Sequence, residues 1–212
     1  MRSRLLAFLR AALAGLLVAA AQPAAASSTL LVFGDSLSAA YGLASGEGWV
    51  SLLAGRISRE RLPWRVVNAS VSGETTAGGL SRLPADLARH HPSVVLIELG
   101  ANDALRGQPI SEIRANLERM IRLVRKARAQ PVLVGIMIPP NYGIDYAAEF
   151  RGVYADVAKH EKVPLVPFLL AGIVDKPDLF QADQLHPTAQ AQPAIVDNVW
   201  PTLEPLLARK AP

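Results

Sequence analysis

The chain contains no cysteine. Disulfides, thiolate metal sites, a cysteine nucleophile and a lipid-modified cysteine anchor are therefore excluded, and stability must come from packing. Histidine is nearly as scarce, with four residues: His90, His91, His160 and His186. There is no Walker-type loop and no G-x-G-x-x-G segment, and the acidic residues are not grouped as metal ligands. No stripe of Lys and Arg with interleaved aromatics is present. The sequence thus calls for no metal or cofactor and no nucleic-acid partner. It also lacks a continuous apolar run of the about 20 residues needed to cross a bilayer.

What stands at the N-terminus is an export signal. Arg2, Arg4 and Arg10 make a basic start, residues 11–21 are apolar, Gln22 and Pro23 break the run, and Ala24, Ala25 and Ala26 fit the small-residue cleavage rule. The expectation is a signal peptide over 1–26, cleaved near Ala26, and a single domain over 27–212 in the periplasm or secreted, without a stable membrane anchor. Three of the 22 basic residues and none of the 18 acidic ones lie in 1–26, which leaves nineteen against eighteen. The basic balance of the whole chain is largely that of its leader. The remaining length suits one domain with a full core, and a monomer is expected.

Short β-branched runs at 30–33, 65–68, 93–99, 132–137 and 164–166 alternate with amphipathic stretches. Val94-Val95-Leu96-Ile97 and Val132-Leu133-Val134 are apolar without alternation, as in strands covered on both faces. Helical faces recur at Trp49, Leu52, Leu53 and Ile57, at Ile113, Leu117, Met120, Ile121 and Val124, around Val153 and Val157, and over 195–207. Alternating strand and helix units imply an α/β fold, a three-layer α/β/α sandwich on a five-stranded parallel sheet. The loops at 34–47, 70–78, 100–109, 138–146 and 172–188 then share the sheet edge where such folds bind ligands.

The first strand runs directly into Gly34-Asp35-Ser36-Leu37-Ser38, which sets a serine hydroxyl at that edge. A hydroxyl nucleophile needs a base. His90 and His91 end a helix on the opposite edge, and His160 sits among Lys159, Glu161 and Lys162 at another helix end. His186 remains, on the last loop of the functional edge. Asp183, three residues earlier, can reach back to its imidazole, or can cap the final helix; Pro187 stops the turn between them. Donors for an oxyanion are offered by Gly73 and by the Asn102 amide, each of which also fits an ordinary turn or cap.

These blocks together resemble the GDSL/SGNH hydrolases: Gly34-Asp35-Ser36-Leu37, Gly73, Gly100-Ala101-Asn102-Asp103 and Asp183-Gln184-Leu185-His186-Pro187, in that order. Val67 to Gly73, Gly107, and Pro140-Asn141-Tyr142-Gly143 are similar to the bacterial branch containing multifunctional thioesterase I, lysophospholipase L1 and arylesterase. The resemblance implies a flavodoxin-like SGNH fold. It implies Ser36 as nucleophile, His186 as base and then acid, and Asp183 as its orienting partner. The oxyanion hole would comprise the Ser36 N–H, Gly73 and Asn102. Asp35 would hold the Ser36 turn and Asp103 would brace the Asn102 loop. Gln184 and Ala101 stand where relatives often carry glycine, and a positive φ at Gln184 would be strained. The chain has no G-x-S-x-G elbow and is not an α/β-hydrolase of that kind.

The implied reaction is hydrolysis of carboxylic esters and thioesters (aryl esters, acyl-CoA, lysophospholipids) through an acyl-serine, with small-molecule or lipid substrates. Leu105, Ile138, Tyr142, Ile144 and Leu185 are candidates to line an acyl groove, or else to pack in the core. A carbohydrate O-acetylesterase or acyltransferase is the alternative within the class. A non-catalytic envelope binding module is the alternative outside it.

Overall fold

The computed structural model describes residues 28–208, so the expected leader and its cleavage point lie outside the described residues. Five strands, β1 (Ser28–Gly34), β2 (Trp64–Asn68), β3 (Val94–Glu98), β4 (Gln130–Val134) and β5 (Leu165–Val166), form one sheet in the order β2-β1-β3-β4-β5. Every pairing is parallel. Six helices connect or flank them: α1 (Trp49–Arg59), α2 (Thr76–His90), α3 (Ala101–Leu105), α4 (Ile110–Lys126), α5 (Ile144–Glu161) and α6 (Gln192–Leu207).

The sheet explains the unbroken apolar runs. Leu31, Phe33, Val95, Ile97 and Leu133 pack against Leu83 and Leu87 of α2, Leu117 and Met120 of α4, and Phe150 and Val153 of α5. The alternate residues Leu30, Val32, Val94, Leu96 and Val132 pack against Trp49 and Leu53 of α1 and Ile195, Val199 and Leu203 of α6. Both side-chain directions of each central strand are buried, which disfavours polar residues in either. Thr29 of β1 and Glu98, the last residue of β3, are buried polar exceptions, and Glu98 is charged by type and fully buried.

The strand ends differ from those expected by one or two residues at most strands and by more at the end of the fourth. The run read as 132–137 leaves the sheet after Val134; residues 136–139 instead line the site cavity. The segment 100–109, read as a loop, contains the five-residue helix α3 with Gly100 as its N-cap. A helix of that length is too short to show periodicity.

The chain passes from β1 outward to β2, then returns across β1 to β3. The loops leaving β1 and β3 therefore diverge to opposite sides and open a crevice at their carboxyl ends. Ser36 stands on the first of these, and Asn102 lies in α3, directly after β3.

Candidate active site

Gly34 pairs in register with Glu98, which brings the turn after β1 directly beside the end of β3. Asp35 shapes that turn: its Oδ1 accepts from the Leu37 N–H at 3.0 Å, and its Oδ2 accepts from the Asn102 amide at 3.0 Å. Ser36, between Asp35 and Leu37, projects its hydroxyl toward the last loop. Behind it the Asn68 amide donates to the Ser38 carbonyl at 2.8 Å, tying the turn to the end of β2.

The last loop is held in shape by its own backbone. Phe180 and Pro187 form an antiparallel bridge, the Gln181 N–H donates to the His186 carbonyl at 2.8 Å, and the Thr188 N–H to the Leu179 carbonyl at 2.8 Å. Within it Asp183 makes an Asx-type turn: Oδ1 accepts from the N–H groups of Leu185 and His186 at 2.9 and 3.0 Å. Oδ2 lies 2.7 Å from His186 Nδ1, and His186 Nε2 lies 2.8 Å from Ser36 Oγ. A carboxylate at Nδ1 requires the proton there, which leaves Nε2 free to accept from the serine. Burial pushes the Asp183 carboxyl up, but the two N–H donors and the imidazole outweigh it and bring it down to about 2. Gln184 has φ 56°, the left-handed conformation that glycine would adopt without strain. Its N–H, at 2.9 Å, and its side-chain amide, at 3.2 Å, both donate to the Gln181 carbonyl.

Two contacts that the sequence does not announce join the nucleophile loop to the histidine loop. The Tyr41 ring lies on the His186 ring, with centroids 4.5 Å apart. The Gln181 amide donates to the carbonyls of Tyr41 at 2.8 Å and Pro187 at 3.2 Å.

Of the three expected oxyanion donors, Ser36 and Asn102 line one cavity, and Gly73 is not among its lining residues. The N–H groups of Ser36 and Gly73 find no acceptor among the described residues. The second proton of the Asn102 amide is free once the first has gone to Asp35. Gly73 has φ 78°, in the left-handed region that glycine adopts without strain. Its carbonyl accepts from Arg106 at 3.2 Å. Asp103 braces the neighbouring loops: its carboxylate accepts from the Thr76 N–H at 2.8 Å and the Thr76 hydroxyl at 2.5 Å, clamping α3 to the start of α2.

Beside the hydroxyl opens a cavity of about 170 Å³ lined by Leu37, Leu105, Ile138, Leu170, Leu185 and His186, among others. Leu105, Ile138 and Leu185 thus stand where the acyl groove was expected. Tyr142 and Ile144 do not line it. Beyond Pro139 the chain turns outward, leaving Tyr142 43% and Ile144 77% exposed. Leu37 and Leu170 replace them. Leu170 reaches the cavity only because the chain beyond β5 folds back over the site, which periodicity does not report.

The sequence matches the GDSL-like Lipase/Acylhydrolase family over residues 32–193. The chain belongs to that family. It is 52% identical over 183 residues to "Esterase TesA" of Pseudomonas aeruginosa, covering 86% of this chain and 91% of that one. It is 42% identical over 184 residues to "Thioesterase 1/protease 1/lysophospholipase L1" of Escherichia coli K12, covering 87% of each. Among solved structures, the psychrotrophic esterase EstA from Pseudoalteromonas sp., inhibited by monoethylphosphonate, superposes with a TM-score of 0.81 at 42% identity, covering 86% of this chain and all of that one. Membership of the GDSL family makes the chain an ester hydrolase with the SGNH form of the α/β fold. Among the described residues, no helix is long and apolar enough to cross a membrane.

Proposed function

We propose that Ser36, His186 and Asp183 form the catalytic triad of this hydrolase, with the N–H groups of Ser36 and Gly73 and the Asn102 amide as its oxyanion hole. The observation that carries this reading is the unbroken chain Asp183–His186–Ser36 with links of 2.7 and 2.8 Å. Nε2 takes the serine proton as Oγ attacks the carbonyl, and the three donors meet the oxyanion that forms. The imidazolium, steadied by Asp183, then protonates the departing alcohol or thiol. Water repeats the sequence on the acyl-serine, releasing the acid and returning the proton to Ser36.

The cavity supports substrates with an apolar acyl group: Leu37, Leu105, Ile136, Ile138, Leu170 and Leu185 line it together with Ser36. Aryl esters, acyl-CoA and lysophospholipids share that form. A carbohydrate O-acetylesterase would need paired polar groups along the cleft, and the walls supply few. The N-terminal signal supports export to the periplasm.

A panel of p-nitrophenyl esters of rising chain length, acyl-CoAs and lysophospholipids, with Ser36→Ala as blank, tests the reading. Expected is activity on esters and thioesters beyond acetate, and labelling of Ser36 by a fluorophosphonate. Failure to label, with the protein folded, would favour a binding module. Turnover confined to acetylated glycans would favour the carbohydrate esterase.

A further inference from the structure

Beneath the nucleophile turn sits a carboxyl group for which the reaction has no use. Glu98 is the one charged residue of β3, and its side chain is sealed from solvent. Its Oε2 is bonded to the Ser38 hydroxyl at 2.6 Å and accepts from the Asp35 N–H at 3.3 Å. Its Oε1 has no partner. A side chain on Gly34 would run into Glu98 Oε2 and Ser38 Oγ, so the turn rests directly on the carboxyl with nothing between them.

Burying an acid without a cation is costly, and it persists only where it holds something in place. Glu98 holds both ends of the turn that carries Ser36. Asp35, also fully buried, then spends its two oxygens on the Leu37 N–H and the Asn102 amide. We propose that Glu98 is a positioning residue for ester hydrolysis: it anchors Asp35 and Ser38 from below, and through Asp35 it aims the Asn102 amide at the developing oxyanion. This rests on the oxyanion role proposed above for Asn102.

The charges around it are consistent with that task. Facing the pair are Asp103 from α3, Tyr154 from α5 and His186 from the last loop; among the described residues no Lys or Arg pairs with either acid. Burial, then the neighbouring Asp35, push Glu98 well above the ordinary carboxyl range. Burial also raises Asp35, to about 6, against the pull of the Leu37 N–H, His186 and Asn102. The two carboxyls differ in their donors: Glu98 has one free oxygen, and its other oxygen meets only the Ser38 hydroxyl and a long bond from the Asp35 N–H. Asp35, with a good donor on each oxygen, carries the charge that orients Asn102.

The test is a double-mutant cycle with p-nitrophenyl butyrate. Asn102→Ala alone should lower kcat on the order of 10²- to 10³-fold. Glu98→Ala should lower kcat on the order of 10- to 10²-fold, the cost of a donor displaced by about an ångström, with KM nearly unchanged. Glu98→Gln, which keeps the size and an oxygen acceptor, should recover most of that loss. In the Asn102→Ala background, Glu98→Ala should cost no more than about threefold, because little is left to aim. If the two losses multiply, or if Glu98→Gln is as damaged as Glu98→Ala, the proposal is wrong. If Asn102→Ala by itself costs nothing, it is the oxyanion assignment that fails. Should Glu98→Ala not fold, Ser38→Ala cuts the same link from the other side and replaces it in the cycle. A Ser38→Ala loss that vanishes in the Asn102→Ala background supports the proposal, and one that multiplies overturns it.

Discussion

Two acidic groups approach Ser36 from opposite sides, and they are built in opposite ways. Asp183 stands at the rim, 39% exposed, with two backbone N–H donors and an imidazole on its oxygens. It is held down to about 2 and is therefore charged at neutral pH. The Asp35–Glu98 pair lies under the turn with no exposure at all, and both carboxyls are pushed up. In the proposed mechanism the rim acid has to be an anion, because it stabilises a charge that appears and vanishes in each turnover, whereas the proposed task of the buried acids is to hold geometry. Donors and solvent on one side, and their absence on the other, decide which carboxyl keeps its proton.

Removing the reacting groups themselves should have the largest effect. Ser36→Ala and His186→Ala should each cost on the order of 10⁶ in kcat, as in hydrolases with a working triad. Stopped assays at high enzyme concentration would read it, and a loss of only a few-fold would leave the rim acid with no task. The rim acid comes next. Asp183→Asn keeps the turn but presents a donor or a weak acceptor to Nδ1, and should lower kcat on the order of 10⁴-fold by favouring the wrong tautomer. Thermal melts should show the fold intact.

The smallest effect concerns stability and separates the two kinds of acid directly. A native acid raised above its unfolded value holds a proton that the unfolded chain releases, so stability falls as pH rises through that window. For Asp35 the window runs from the ordinary 3.8 to about 6, and Glu98 extends it upward from 4.5. The wild-type Tm should therefore decline between pH 4 and pH 8. In Glu98→Gln the decline should be shallower than in the wild type, because one of the two raised carboxyls is gone. The comparison is of slopes, which sets aside any pH-independent cost of the amide. Equal slopes would mean that Glu98 is ionised in the native protein, and the contrast with Asp183 would disappear.

Much of this was legible in the residues. Val94-Val95-Leu96-Ile97 and Val132-Leu133-Val134 announce strands covered on both faces, because only a parallel sheet between helices has no polar side. With four histidines and no cysteine, His186 is reached almost by elimination. The turn after β1 is marked by its serine, and the strain expected at Gln184 is found in its φ of 56°. Other features were not legible. Tyr142 and Ile144 have the composition of a groove but sit past the point where the chain turns outward. Leu170 has the composition of a core residue but lines the cavity. Glu98 is visible as a charge at the end of an apolar run, but its partners Ser38 and Asp35 lie 60 and 63 residues away.

The sequence by itself determined the layers, the edge on which chemistry could occur and the residue types able to perform it. Periodicity, residue chemistry and local spacing are properties of short stretches, and those questions are local. Tertiary structure decided which side chains meet. His186 reaches Ser36 across 150 positions of chain, and the state of each acid depends on which donors and how much water surround it. Burial and convergence are properties of the whole packed domain, so no stretch of residues carries them alone.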